Sequence, residues 1–278
     1  MDLNWLQSLL FGFISGLTDI LPVSAQAHRM LLLKFFGLKN TTSLSALLLH
    51  LSVFAALYLS NRGQFVKMNR ARALARVPKR KRKRPLDTKS MMDWSLVKTM
   101  LVPTVIGLFL YKYARNIQKN LLTIALFLFI NGVILYIPQF LPGSNKDSRT
   151  LSRLEGFAMG CGCAVSILPG LSTIGMVVSV GSVCGVERLY SLNMAFIIKM
   201  FMMAGLLVYD VLGIISGGME ALTFGILLRY LITALVSFGA AMGSIRMMRR
   251  LVADHGFALF GVYCWGLALF IFILNLVV

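Results

Sequence analysis

The sequence predicts an all-α integral membrane protein with six transmembrane helices plus two re-entrant helix hairpins in inverted repeats. Three observations predict this class. The chain is 58% hydrophobic and has a mean hydropathy of +0.78, well above a soluble domain. Six of its apolar segments approach the ~20 residues that cross a bilayer. Two further apolar segments are interrupted by proline and hydroxyl side chains, which lipid tolerates poorly.

The six predicted spans follow from uninterrupted apolar sequence. They cover residues 44–60, 96–113, 121–141, 189–215, 222–244 and 255–278. We expect residues 1–278 to form a single transmembrane domain. Its repeat halves are predicted at about 1–113 and 150–278, with a basic cytoplasmic loop at about 61–93.

The two interrupted segments, 5–38 and 155–185, are predicted to be the re-entrant hairpins. Each contains Ile-Leu-Pro, at 20–22 and again at 167–169, and a serine follows in both. Proline removes a backbone donor and frees a carbonyl, so the broken backbone must be buried by protein or line a wet cavity. Matched broken segments in two halves of a chain indicate a central site between repeats. We therefore expect Pro22 and Pro169 to lie close together.

Positive charge is concentrated in one connection. The formal net charge is +18, and twelve Lys and Arg residues lie between Arg62 and Lys89. A basic run can indicate nucleic acid binding, but between two spans it is typical of a cytoplasmic loop that obeys the positive-inside rule. The predicted partners of this loop are anionic membrane lipids, and no nucleic acid partner is expected.

The first interrupted segment contains three residues that could form a site. Asp19, Ser24 and His28 can converge if the chain turns near Pro22. A carboxylate that orients a histidine beside a hydroxyl could activate a serine nucleophile. Asp19 could instead ligate a divalent cation, or Asp19 and Ser24 could simply cap the turn. Spacing alone leaves these interpretations open.

Two further features point to an anion. Lys199 lies in the middle of a predicted span, where a charge is costly, and is interpreted either as an anion-binding group or as half of a structural ion pair. A helix that starts after Gly170 would present free N–H groups to a phosphate. Ser172 and Thr173 would add hydroxyl donors there. His50 is interpreted as structural.

Two motifs resemble those of the undecaprenyl-pyrophosphate phosphatase family. Residues 12–28 resemble its first signature, Gly-x-x-Glu-Gly-Leu-Thr-Glu-Phe-Leu-Pro-x-Ser-Ser-x-x-His, and residues 169–177 resemble its second, Pro-Gly-x-Ser-Arg-Ser-Gly-x-Thr. The chain departs from the first at Ser15, where the family has an acid. It departs from the second at Thr173 (arginine in the family), Ile174 and Val177.

The resemblance implies hydrolysis of undecaprenyl diphosphate to the monophosphate carrier for wall glycans, in a bacterial cell membrane, at a site facing outside. It also implies a divalent cation, Mg or Ca. The resemblance implies Asp19, Ser24 and His28 as catalytic residues, Asp19 as metal ligand, and Ser172 as a phosphate-binding residue. The turn at Gly170, the hydroxyl of Thr173 and the charge of Lys199 are expected to bind phosphate as well.

The departures leave other functions open. Threonine cannot replace an arginine that binds a diphosphate bidentately, and Lys199 is the residue expected to supply the missing charge. The alternatives are a catalytically impaired paralogue that binds or translocates polyprenyl phosphate, and an ion or solute transporter. The predicted partners are the polyprenyl diphosphate lipid and a second copy of the chain in a homodimer.

Overall fold

The described part of the chain is built from helices that follow the predicted order. The structure, a computed structural model, describes residues 3–38, 41–82, 85–117, 120–142, 145–217, 223–254 and 257–277. Within these ranges ten α-helices follow one another: α1 (Trp5–Ile20), α2 (Ala25–Phe35), α3 (Ser43–Ala75), α4 (Thr88–Ile117), α5 (Leu121–Tyr136), α6 (Arg153–Val165), α7 (Thr173–Val183), α8 (Arg188–Gly217), α9 (Phe224–Asp254) and α10 (Ala258–Val277).

The prediction of six membrane spans is confirmed. In the described ranges six segments are long and apolar enough to cross a bilayer: Ser43–Ala75, Thr88–Ala114, Leu121–Phe140, Arg188–Gly217, Phe224–Val252 and Ala258–Leu276. Each overlaps one predicted span. The predicted edges at residues 222, 255 and 278 lie outside the described residues, as do Lys83 and Arg84 of the basic run.

The two interrupted segments form pairs of shorter helices. α1 and α2 flank the first Ile-Leu-Pro sequence, and α6 and α7 flank the second. Both pairs use the same local devices. A capping box begins α1 and α6, and a serine side chain caps the N-terminus of α2 and α7. That these pairs are re-entrant hairpins inserted from opposite sides of the membrane stays a prediction.

Both ends of the predicted basic loop at 61–93 are helical, and its place on the cytoplasmic side stays a prediction. Residues 61–75 continue α3, and residues 88–93 already belong to α4. Alanine, methionine, arginine and lysine dominate these flanks and are good helix formers. The predicted spans therefore stop where the charged residues begin, although the helices continue through them.

The helix contacts are related between the first five helices and the last five. α1 packs on α9 and α6 packs on α4, whereas α3 packs on α8 and α5 on α10. If α1 to α5 are renumbered as α6 to α10 and the reverse, the same four helix pairs result. An internal repeat would have this property. The division into repeat halves remains a prediction.

Glycines set the closest helix approaches. A Cβ on Gly16 would overlap the carbonyl of Ser237 in α9, and a Cβ on Gly160 would overlap that of Met100 in α4. Both glycines follow another glycine by four residues, the spacing that lets membrane helices approach closely.

Candidate functional site

One side chain of α5 joins the tips of the two helix pairs. The Nδ2 of Asn131 donates to the carbonyl of Pro22 at 2.9 Å, and its Oδ1 accepts from the N–H of Ser172 at 2.9 Å. The Ser172 hydroxyl also lies 3.5 Å from the carbonyl of Leu21, to which it donates. These contacts pair backbone groups at both broken segments, and they bring the first tip, which carries Ser24, next to Ser172.

Ser24 sits at the turn between α1 and α2 in an unusual backbone conformation. Among the described residues it is the one non-glycine residue with a positive φ, at φ 63° and ψ 98°. Such residues are strained and concentrate at functional sites. Its Oγ accepts from the N–H of Ala27 at 3.4 Å, which caps α2.

His28 is held by two contacts, and neither involves the Ser24 hydroxyl. Its Nδ1 lies 2.8 Å from the carbonyl of Ser24, and its Nε2 lies 2.7 Å from the hydroxyl of Tyr263 in α10. A carbonyl can only accept, so Nδ1 carries the proton and Nε2 accepts from the phenol. The expected contact between the Ser24 hydroxyl and His28 is therefore not formed.

Asp19, at the end of α1, lies between two cations. Its Oδ2 accepts from the guanidinium of Arg29 in α2, and its Oδ1 accepts from the Nζ of Lys199 in α8 at 3.3 Å. Asp19 and Lys199 are each only 4% exposed, so neither is a solvated surface charge. Asp19 therefore does not orient His28, because two charged partners stabilise a buried carboxylate more than a neutral imidazole does.

Lys199 does not contact Asp210, which lies within 2.6 Å of the Nδ1 of His50 instead. The ion-pair interpretation of Lys199 thus has a partner that sequence spacing did not indicate. The interpretation of His50 as structural agrees with this pairing.

Arg29 is the main charged residue that the sequence analysis missed. Together with Lys199 it gives two cations against the single carboxylate of Asp19. The Nε of Arg29 is buried and has no hydrogen-bond partner in the described structure. A cation directly after His28 in an apolar stretch was the available signal, since intramembrane charges indicate function.

The second helix pair contributes hydroxyls and a tight turn. Gly170 has φ 98°, and the Ser172 side chain caps α7 by accepting from the N–H of Gly175 at 3.3 Å. The Thr173 hydroxyl accepts from Ser166 at 3.0 Å and also faces the sulfur of Met202. Ser172 therefore faces the first tip, whereas Thr173 is engaged within its own hairpin and against α8.

The donors present do not fit a divalent cation. Mg and Ca require several oxygen ligands, carboxylates above all. Both oxygens of Asp19 are already paired with cations, and Ser15 stands where the family signature has its first acid. No group of three or more His, Cys, Asp or Glu side chains suited to a metal occurs within the described ranges.

An apolar cavity of about 500 Å³ lies beside His28. It is enclosed by the first helix pair, the last turns of α9 and the first turns of α10. Its polar lining groups are few, as expected of a site for a hydrocarbon chain. The lining residues are Ile14, Leu17, Thr18, Leu21, Val23, His28, Leu251, Leu259, Phe260 and Tyr263.

Comparison with known proteins places the chain. The model of the family described as "Bacitracin resistance protein BacA" matches residues 8–270. The chain belongs to this family. It is a multi-pass membrane protein, because its six apolar helices and its family agree.

Relatives match along nearly their whole length. The chain is 26% identical over 275 residues to an undecaprenyl-diphosphatase of Methanobrevibacter smithii, covering 96% of each protein. It is 27% identical over 283 residues to an undecaprenyl-diphosphatase of Carboxydothermus hydrogenoformans, covering 98% of each. It is 26% identical over 278 residues to undecaprenyl-diphosphatase 1 of Shouchella clausii, covering 98% of this chain and 96% of that protein.

Proposed function

We propose that this chain is a membrane phosphatase that hydrolyses undecaprenyl diphosphate to undecaprenyl phosphate and inorganic phosphate. The observation that carries the proposal is a pair of cations, partly buried Arg29 and buried Lys199 of α8, which both bind Asp19 of the helix pair that carries Ser24 and His28. A family match over nearly the whole chain and full-length relatives named for this reaction support it.

The substrate's diphosphate would bind where the two hairpin tips meet. Arg29 and Lys199 would pair with its oxygens, and the hydroxyl of Ser172 would donate to it in place of its long contact with Leu21. The backbone turn at Gly170 positions Ser172 for this role. Thr173 was predicted to bind phosphate as well, and its bond to Ser166 supports the proposal that it holds the second tip in shape.

Catalysis would use Ser24 and His28. A water positioned by the oxygen of Ser24 would attack the terminal phosphorus and form inorganic phosphate directly. If the oxygen of Ser24 attacks instead, it forms a phosphoserine, and a water would then hydrolyse that ester to release inorganic phosphate. The bridging P–O bond would break, and its electron pair would stay on the monophosphate. His28 would take the proton of the attacking group at Nε2, which now accepts from Tyr263. Tyr263 must therefore move aside or relay that proton.

The lipid part of the substrate would occupy the apolar cavity beside His28. Its apolar walls suit a polyprenyl chain, and His28 forms part of both the cavity and the hairpin tip. The polyprenyl chain would thereby lie in apolar surroundings while the diphosphate reaches Arg29 and Lys199.

We also propose that the basic segment between α3 and α4 faces the cytoplasm of a bacterial cell, that the basic residues of α3 near Arg62 lie beside anionic lipids, and that the site opens to the outside. We further propose that the site lies between two repeat halves, at about 1–113 and 150–278, and that the protein forms a homodimer.

Phosphate release from undecaprenyl diphosphate by the purified protein in detergent tests the function. Ser24→Ala should lower the rate by about 10²-fold or more, since it removes the attacking or water-positioning group. Ser172→Ala, which removes one neutral donor, should lower it by about 10-fold. Ser216→Ala, an exposed serine in the last turn of α8, should be unaffected.

Substrate binding without phosphate release by the unsubstituted protein would contradict the phosphatase proposal. That result would favour a paralogue that binds or translocates the lipid.

A further inference from the structure

The arrangement around Asp19 suggests how this chain binds a diphosphate without the donors of a metal site. Its two carboxylate oxygens are divided between Arg29 from α2 and Lys199 from α8. The three residues come from three different helices and meet inside the protein. Nothing in sequence spacing requires such a meeting.

Two cations share one carboxylate in this group. Asp210 is a second carboxylate, close enough for its charge to act on Arg29, but its Oδ2 is engaged by the Nδ1 of His50. An anion bound between the guanidinium and the ammonium would therefore add charge-assisted contacts that Asp19 alone does not supply. The Nε–H of Arg29 is buried without an acceptor, so the guanidinium retains an unused donor for that anion.

The same arrangement opposes a cation. A divalent ion at Asp19 would have to displace two charged side chains and would then lie beside them. The residue one helical turn before Asp19 is Ser15, whose hydroxyl is buried and unpartnered. An acid at that position would share a face of α1 with Asp19, and this chain has none there.

We propose that Arg29 and Lys199 take the place of a divalent cation, so that this chain binds and hydrolyses its diphosphate substrate without a metal. The inference rests on the proposed function for the substrate class. Arg29 supplies a planar fork that binds two phosphate oxygens at once, and Lys199 supplies a compact point charge. Together they carry the double positive charge that a metal would bring to the leaving monophosphate.

The first experiment measures phosphate release from undecaprenyl diphosphate in the presence of EDTA and, separately, of added Mg or Ca. The rate of the unsubstituted protein should change by less than about 2-fold between these conditions, since no step uses the ion. Loss of release in EDTA, restored by either metal, would overturn the proposal.

The second experiment measures binding, so that it remains decisive if no turnover is found. Farnesyl diphosphate in EDTA should raise the thermal unfolding midpoint of the unsubstituted protein. Arg29→Gln and Lys199→Met should each weaken the apparent affinity by about 10²-fold, as expected for a lost charge-assisted contact. Lys34→Met is the matched control and should bind normally. Lys34 is a partly exposed cation on α2, the helix of Arg29.

Two binding results would count against the inference. Protection that requires Mg or Ca would overturn it, as would protection unchanged in both variants. If the unsubstituted protein binds in EDTA but releases no phosphate under any condition, the phosphatase proposal fails while the charge pair stands as the anion site.

A third experiment rebuilds the metal requirement. In Ser15→Glu with Lys199→Met, one arginine, two carboxylates and one divalent ion restore the net charge of the unsubstituted group. Mg or Ca should then raise diphosphate affinity and release by about 10-fold or more over EDTA. Lys199→Met alone should show no such response, and a metal response in that single variant would contradict the inference.

Discussion

The two interrupted helix pairs are built alike but hold different chemistry. Both begin with a capping box, Asn4 with Gln7 in the first and Ser152 with Glu155 in the second. Both carry glycines four residues apart where they cross a long helix. Both turn at Ile-Leu-Pro and then cap a second helix with a serine. The scaffold of one pair is thus the scaffold of the other.

The chemistry is concentrated in the first pair. It contains Asp19, His28 and Arg29, beside the strained backbone of Ser24. The tip of the second pair instead contains the turn at Gly170 and neutral hydroxyl groups, such as that of Ser166. The difference teaches that the devices holding a broken backbone in place do not determine which charges the site contains. Charged groups can be exchanged among neighbouring helices while the scaffold stays the same.

The largest expected effect comes from cutting the link between the two pairs. Asn131→Leu should lower the free energy of unfolding by about 2–5 kcal/mol. The N–H of Ser172 would lose the partner it has in Asn131, and the carbonyl of Pro22 would keep only the long contact with the thiol of Cys264 at 3.9 Å. Thermal or denaturant unfolding in detergent measures this. Asn145→Leu, at an exposed position, is the control. Equal stabilities of the two variants would show that the tips do not depend on each other.

The glycine crossings test whether the scaffolds are equivalent. Gly16→Ala and Gly160→Ala should each destabilise the protein by about 1–3 kcal/mol, since the new methyl group overlaps a backbone carbonyl that cannot move freely. Gly239→Ala, in α9 where a methyl group meets open space, should be neutral or stabilising. A large loss of unfolding free energy at one crossing and none at the other would show that the two scaffolds are not equivalent.

The smallest effect concerns a charge at the start of the second pair. The Nζ of Lys146 at 2.6 Å and the N–H of Ser152 hold the pKa of Glu155 at about 2, below its ordinary value of 4.5. A carboxyl whose pKa is lowered by folding adds stability above pH 4.5, and this is lost as the pH falls toward 2.

Glu155→Gln would make this capping box resemble that of the first pair, where Gln7 has the same place. It should cost less than about 1 kcal/mol at neutral pH, because the pair is partly exposed and screened. The difference between the variant and the unsubstituted protein should shrink in acid when unfolding is followed against pH. In a Lys146→Met background the substitution should cost still less, and an undiminished cost there would mean that the ion pair contributes nothing.

Much of the fold could be predicted from the sequence because its signals are local. The length of an apolar run determines whether it can cross a bilayer, and Ile-Leu-Pro with a following serine marks a broken helix wherever it occurs. The meeting of the two tips followed from the cost of unsatisfied backbone in lipid. The helical flanks of the basic segment did not follow, because helix continuation beyond the membrane leaves no hydropathy signal.

The site was less predictable because its contacts are long-range. Asp19 meets Lys199 across 180 positions of sequence, and His28 meets Tyr263 across 235. Asp19, His28 and Lys199 were found as costly residues, but their partners depend on which helices pack together. Asn131, an isolated polar residue in an apolar span, and Arg29, a cation next to His28, were overlooked.

The length of α3 has a consequence for the basic segment. Its 33 residues correspond to about 50 Å of helix, whereas the hydrocarbon core is about 30 Å thick. Standing along the bilayer normal, the helix would carry its last turns about 20 Å past the hydrocarbon, which is more than twice the Debye length of about 8 Å in physiological salt. Cations near Arg62 would then feel the surface potential of the lipid headgroups, whereas those near Arg76 would be held out of its range on a rigid arm.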